Sequence, residues 1–128
     1  VLYQWYNTDV MIDELLSIWE ETYKKGQLTF WLFLSLKDGE KYVDEIREFI
    51  HDFSEGTISY DEQSLYRSLR KFQHLEIVEY SLKPGNSGPD RKYYQLTPNG
   101  ILLLEKFVER NISLLQSQKI SNLLKSEK

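Results

Sequence analysis

A chain of 128 residues that is 41% hydrophobic and 14% aromatic can bury one modest core, so disorder is excluded except toward its ends. No apolar run nears membrane-spanning length, the longest being residues 30–36, and the absence of cysteine rules out disulfides, thiolate metal sites and cysteine nucleophiles. A net charge of −4 argues against a uniformly cationic nucleic-acid binder, but the charge is uneven: segments 1–36 and 37–62 carry −3 and −6, whereas 63–98 and 99–128 carry +3 and +2.

Residues 1–7 are aromatic and irregular, with Trp5 read as core or interface filling. Ile12, Leu15, Leu16, Trp19 and Tyr23 then recur at helical spacing and predict an amphipathic helix over about residues 9–25. Lys24 and Lys25 suit its C-terminal dipole and Gly26 stops it. A second, nearly all-apolar helix is expected over 29–36, ended by a turn at Asp38-Gly39. The third is expected over about 40–53. Tyr42, Val43, Ile46, Phe49 and Ile50 form its inner face, and Asp44, Glu45, Glu48 and Asp52 face out. Glu55-Gly56 breaks it, and Thr57-Ile58 is read as a short strand stub.

The fourth helix, over about 60–75, has the clearest start signal. Ser59-Tyr60-Asp61-Glu62 fits a capping box in which Ser59 accepts from the Glu62 amide. Leu65, Leu69 and Phe72 form its inner stripe; Gln63, Arg67, Arg70 and His74 form an outer one, with Ser64 and Lys71 beside it. Val78, Tyr80 and Leu82 alternate with Glu79, Ser81 and Lys83 in a first strand. Turn chemistry fills residues 84–89, and a second strand covers about 91–96, so the two form a hairpin with Arg91 and Lys92 near its tip. Thr97 caps a last helix with Pro98 at its first position. That helix is expected to run past Leu115 and fray before Lys128, with Ile101, Leu104, Phe107, Val108, Ile112 and Leu115 as its stripe.

This stripe is too broad for one small domain to cover, and the N-terminal helix is the only spare amphipathic element. A homodimer is therefore expected, with Leu15, Trp19, Leu104, Phe107, Val108, Ile112 and Leu115 in its interface. The fold class is mainly α with a small β-hairpin. It comprises an N-terminal dimerisation helix (1–26), a winged helix-turn-helix domain (27–97) and a C-terminal dimerisation helix (98–128).

Three stretches carry a family resemblance. One is Leu65-Tyr66-Arg67-Ser68-Leu69-Arg70-Lys71. Another is Ile77-Val78 entering the wing. The third is Gly88-Pro89-x-Arg91-Lys92-Tyr93-Tyr94-x-Leu96-Thr97-x-x-Gly100. With Tyr42 on the preceding helix, the chain resembles the PadR family of transcriptional regulators over about residues 27–115. The resemblance implies a winged helix-turn-helix regulator that binds double-stranded DNA. Two residues depart from the family pattern: Glu76 stands where Gly follows the recognition helix, and Lys41 where Gly precedes the tyrosine. Each fits only where the backbone avoids positive φ. Drug-binding members carry a Trp on the last helix, and none occurs here after Trp31. That speaks against a multidrug pocket, and a pocket between Trp19 and Phe107 has no other support.

The residues divide into two layers. Tyr60, Gln63, Ser64 and Arg67 are assigned to base edges, where Gln suits adenine and Arg suits guanine; Arg70, Lys71, Lys83, Arg91 and Lys92 are assigned to phosphates. A dimer sets two such helices roughly 34 Å apart and implies an inverted-repeat operator read by a repressor. Tyr66, Tyr93 and Tyr94 are assigned to packing. His51 and Glu55 make only a weak metal pair, and Asp44, Glu45 and Glu48 a solvated face. No nucleophile–base pair or phosphate loop points to an enzyme, and no cofactor is expected. The competing reading is a winged-helix module that binds protein and not DNA. The lack of a signal-peptide pattern and of cysteine fits a cytoplasmic protein. The chain does not begin with Met, so its start reads as trimmed. A small-molecule effector is allowed for, its identity unassigned.

Overall fold

The computed structural model describes residues 8–125. The order is α1 (Thr8–Lys25), α2 (Leu28–Asp38), α3 (Val43–Phe53), α4 (Glu62–His74), β1 (Val78–Lys83), β2 (Arg91–Leu96), α5 (Pro98–Phe107) and α6 (Gln118–Leu124). The expected residues 1–7 with Trp5, and the frayed end at 126–128, lie outside the described residues.

One core joins α2, α3, α4, the hairpin and α5. Leu32 of α2, Ile46 of α3 and Leu65 and Leu69 of α4 are fully buried, with Val78, Tyr94 and Leu96 closing the core from the sheet and Leu104 from α5. These are the inner-face positions of each amphipathic pattern, so patterning alone accounts for the layering. The hairpin is antiparallel in the register Val78↔Leu96, Tyr80↔Tyr94 and Leu82↔Lys92. Its alternation is only half used: Val78 is buried, but Tyr80 and Leu82 are exposed because the strands project beyond the helices.

The third helix starts at Val43, not near residue 40. Lys41 instead pairs with Tyr94 as a one-residue third strand, donating its N–H to the Tyr94 carbonyl (3.0 Å) and accepting from the Tyr94 N–H (2.8 Å). The segment expected as a strand stub, Thr57-Ile58, forms none; Ser54 Oγ satisfies both backbone groups of Ile58.

Both helices of the helix-turn-helix end alike. After α3, Gly56 N–H donates to the His51 carbonyl and Glu55 N–H to Asp52; after α4, Ile77 N–H donates to Phe72 and Glu76 N–H to Gln73. Each is a Schellman closure, which needs a left-handed residue just past the helix. That residue is Glu in both, with φ of 54° at Glu55 and 60° at Glu76. So Glu76 does not escape positive φ. It takes the backbone conformation that glycine favours and carries the strain of a Cβ there.

The joint after α4 is locked by the start of α5. Thr97 Oγ1 donates to the carbonyls of Glu76 (2.7 Å) and Ile77 (3.1 Å), and accepts from the Gly100 N–H as the α5 cap. A Cβ on Gly100 would stand 2.3 Å from the Ile77 carbonyl oxygen, so only glycine allows this approach.

The single long C-terminal helix is not observed. After Phe107 a π-turn (Val108–Ile112) takes over, with Ser113 N–H reaching the Val108 carbonyl at 2.9 Å; a 3-10 turn (Leu114–Gln116) follows. Ser117 is extended at ψ 154° and caps α6. Serine competes for the amides beyond it and so ends one helix and opens the next. Leu104, expected in a dimer interface, is 5% exposed and covered by its own chain, because the α5 face that carries it packs on α2. Val108 also packs against the core, and Ile112 is half-buried. Leu15, Trp19, Phe107 and Leu115 remain open, at 55%, 72%, 44% and 55% exposure.

Candidate nucleic-acid interface

The start of α4 differs from expectation. Asp61, not Ser59, is the cap: its carboxylate accepts the Ser64 N–H at 2.7 Å. A carboxylate is the stronger acceptor for amides at the positive end of a helix. The Ser64 amide also holds the Asp61 carboxyl below the usual carboxylate range. Tyr60 consequently precedes the helix. It is half-buried, and its hydroxyl donates to the Lys24 carbonyl at 3.0 Å, tying α4 to the end of α1. The Tyr60 hydroxyl is thus engaged within the chain, ahead of the first helical turn.

Helical spacing sorts the rest of α4. Glu62, Tyr66 and Arg70 share one row, each four residues from the next; Gln63, Arg67 and Lys71 share the adjacent one. Gln63, Arg67 and Lys71 are exposed and Ser64 is half-buried. The first row faces the wing. Glu62 and Tyr66 line a groove of about 420 Å³ together with Tyr42, Val43 and Asp44 at the head of α3 and residues 85–92 of the wing. Arg91 and Lys92 are thus brought beside the first two turns of α4, and the charge of Arg70 reaches Tyr94. The wing loop closes on itself at Gly85, where a Cβ would lie 2.5 Å from the Pro89 carbonyl oxygen.

Each wing cation sits over an aromatic ring. The Arg91 guanidinium carbon is 4.4 Å from the Tyr42 ring centroid, Lys92 Nζ 4.6 Å from Tyr80 and Lys83 Nζ 5.0 Å from Tyr93. Lys83 is in addition ion-paired with Glu40, so one of its donors is already used. Lys71 Nζ lies 5.3 Å from the Phe72 ring centroid.

Sequence reasoning assigned Tyr66 to packing and Tyr42 to a helix interior, and missed both as groove residues. Burial, with Glu62 and Asp44 nearby, pushes the Tyr66 phenol up, so it stays protonated and able to donate. The hairpin register together with the one-residue bridge at Lys41 is the signal needed, and only the fold supplies it. Trp19 is strongly exposed on α1, whereas Phe107 borders an apolar cleft of about 170 Å³ with Phe30, Phe33, Leu103 and Leu104. Among the described residues no three His, Cys, Asp or Glu side chains cluster as a metal site, and no helix is long and apolar enough to cross a membrane.

Residues 32–106 match the family model described as the transcriptional regulator PadR-like family. Among solved structures, a PadR-like transcriptional regulator from Bacillus cereus strain ATCC 14579 is 28% identical, the match covering 80% of this chain and 96% of that one with a TM-score of 0.64. A PadR family transcriptional regulator from Eggerthella lenta DSM 2243 is 20% identical, covering 92% and 99%, with a TM-score of 0.67. Bacillus subtilis PadR, solved in complex with operator DNA, is 18% identical, covering 63% of this chain and 46% of that one, with a TM-score of 0.58. The last two likenesses concern the fold alone. No curated protein gives a significant match.

Proposed function

From the premise that the chain belongs to the transcriptional regulator PadR-like family, we propose that it regulates transcription by binding double-stranded DNA as a homodimer, acting as a repressor at an inverted repeat. The observation that carries this reading is the groove in which Arg91 and Lys92 meet the first turns of α4. A wing and a helix set side by side can grip one backbone and read the neighbouring major groove. Gln63, Ser64 and Arg67 are the base readers. Arg70, Lys71, Arg91 and Lys92 hold phosphates, with Lys83 weakened in that role by Glu40. The Bacillus subtilis relative of like fold was solved in complex with operator DNA, which is in keeping with DNA as the ligand.

The dimer rests on the exposed apolar residues of α1 and the C-terminal segment, notably Leu15, Trp19, Phe107 and Leu115. Patches of this kind on a small domain mark an interface. An effector would act by changing the separation of the two winged units. The rival reading, a winged module that binds only protein, draws on the net charge of −4.

The test is binding of Arg67→Ala and Arg91→Ala to duplex DNA from upstream of the protein's own gene. Each loses about 1–3 kcal/mol of affinity while melting like wild type. The log of the wild-type affinity falls steeply with the log of salt concentration. If both variants bind as wild type, the assigned face is wrong. Flat salt dependence favours the protein-only module.

A further inference from the structure

We infer that Tyr42 and Tyr80 are positioning residues of the wing, holding Arg91 and Lys92 over their ring faces in the free protein so that both cations are aimed before phosphate arrives. This rests on the DNA-binding reading above and adds what sets the geometry of its phosphate layer.

The two rings are themselves fixed. Tyr42 caps α3, and its N–H donates to the Glu45 carboxylate at 3.2 Å. Its neighbour Lys41 is stitched to Tyr94, and its ring meets Tyr93 edge-on at 5.4 Å and 70°. Tyr80 pairs with Tyr94 in the ladder, their rings 5.8 Å apart. Successive strand residues point to opposite faces, so Arg91 and Lys92 are held on two different sides of the hairpin, each by its own ring.

Stacking does not consume the donors that phosphate needs. A guanidinium lying on a ring keeps its N–H groups around the rim, and an ammonium facing a ring keeps donors directed away from it. What stacking removes is the freedom of the long stem. A cation already restrained has less rotamer entropy left to lose on contact, which raises affinity without a new contact to DNA. Lys83 serves as an internal contrast. It also sits over a ring, Tyr93, but its ion pair with Glu40 occupies it, so ring placement alone does not make a phosphate ligand.

The experiment measures fluorescence anisotropy of a labelled mixed-sequence duplex over a sodium chloride series, because phosphate contacts are blind to sequence. Tyr42→Phe keeps the ring face and binds like wild type. Tyr42→Leu binds about two- to fivefold more weakly per wing, the range for an exposed cation–ring contact. In an Arg91→Ala background the same substitution costs nothing further. A purely structural role for Tyr42 would weaken binding equally in both backgrounds, and that result overturns the inference. So does a Tyr42→Leu protein with wild-type affinity. Because Tyr42 also starts α3, a second pair on the exposed strand keeps the test open if that variant unfolds: Tyr80→Thr with and without Lys92→Ala, read by the same coupling. If Arg91→Ala and Lys92→Ala themselves bind as wild type, the DNA face is misplaced. If they weaken binding and the ring variants do not, only the positioning role falls.

Discussion

Replacing Gly100 by alanine sets two effects of known size against each other. Gly100 lies in the first turn of α5 in ordinary helical geometry, where alanine is favoured by about 1 kcal/mol on propensity. The new Cβ would stand 2.3 Å from the Ile77 carbonyl oxygen and 3.1 Å from Leu96 Cδ2. That is about 1 Å short of an ordinary carbon–oxygen contact, and the obstacle is backbone, which cannot swing aside. Overpacking of this kind costs about 1–3 kcal/mol. Moving α5 away also stretches the Thr97 N–H bond to Ile77 (3.0 Å) and the Thr97 Oγ1 bond to Glu76 (2.7 Å). Each contributes about 1 kcal/mol net. The clash wins, and Gly100→Ala destabilises by about 2–3 kcal/mol. For a domain of this size the melting temperature falls by roughly 10 °C. Thermal unfolding followed by circular dichroism, with urea titration at fixed temperature, measures both quantities. A variant that melts at or above the wild-type temperature would falsify the claim that the α4–β1 joint and the head of α5 are in hard contact.

The strained helix closures give the opposite sign. Glu76→Gly relieves a left-handed residue worth about 1–2 kcal/mol and adds about 0.5–1 kcal/mol of chain entropy cost, for a net gain of about 0.5–1 kcal/mol in urea unfolding; Glu55→Gly behaves alike, and a loss at either site refutes the strain. The Asp61 carboxyl has its folded pKa lowered by the Ser64 amide, so its share of stability is present above the unfolded-chain value and drains away as pH falls through the lowered folded value. Asp61→Asn keeps a capping acceptor without that titration. The wild-type melting temperature should therefore drop toward it in strong acid, and two parallel curves would refute the cap. Glu40→Gln removes the ion-pair partner of Lys83 and should bind mixed-sequence duplex more tightly, its salt slope steeper by about 0.9 per wing; an unchanged slope means Lys83 never meets phosphate.

Sequence patterning carried the fold where burial decides it. The inner stripes of α3 and α4, the hairpin turn and the Thr97-Pro98 helix start all lie where periodicity and capping chemistry put them. It failed where two local signals compete. Ser59 and Asp61 are both good caps, and the carboxylate won. Residues 40–42 fit a helix, yet Lys41 gains two backbone bonds by joining the sheet, a pairing invisible without the tertiary fold. Leu104 belongs to the expected interface stripe by spacing, but it is the α2 face opposite that decides which side of α5 is inward. For the candidate site, the cations were legible as a charge excess. The rings beneath Arg91 and Lys92 were not, because they come from residues far apart in the chain.

The hairpin is fastened on both flanks: at Tyr94 by the Lys41 backbone, and at its base by Thr97 gripping the carbonyls of Glu76 and Ile77. A wing held in this way cannot flap independently of α4. On the proposed reading, each copy would meet a duplex as one preset jaw, and a signal that tunes its bite would work through the outlying helices, by resetting the gap between jaws and not the shape of either.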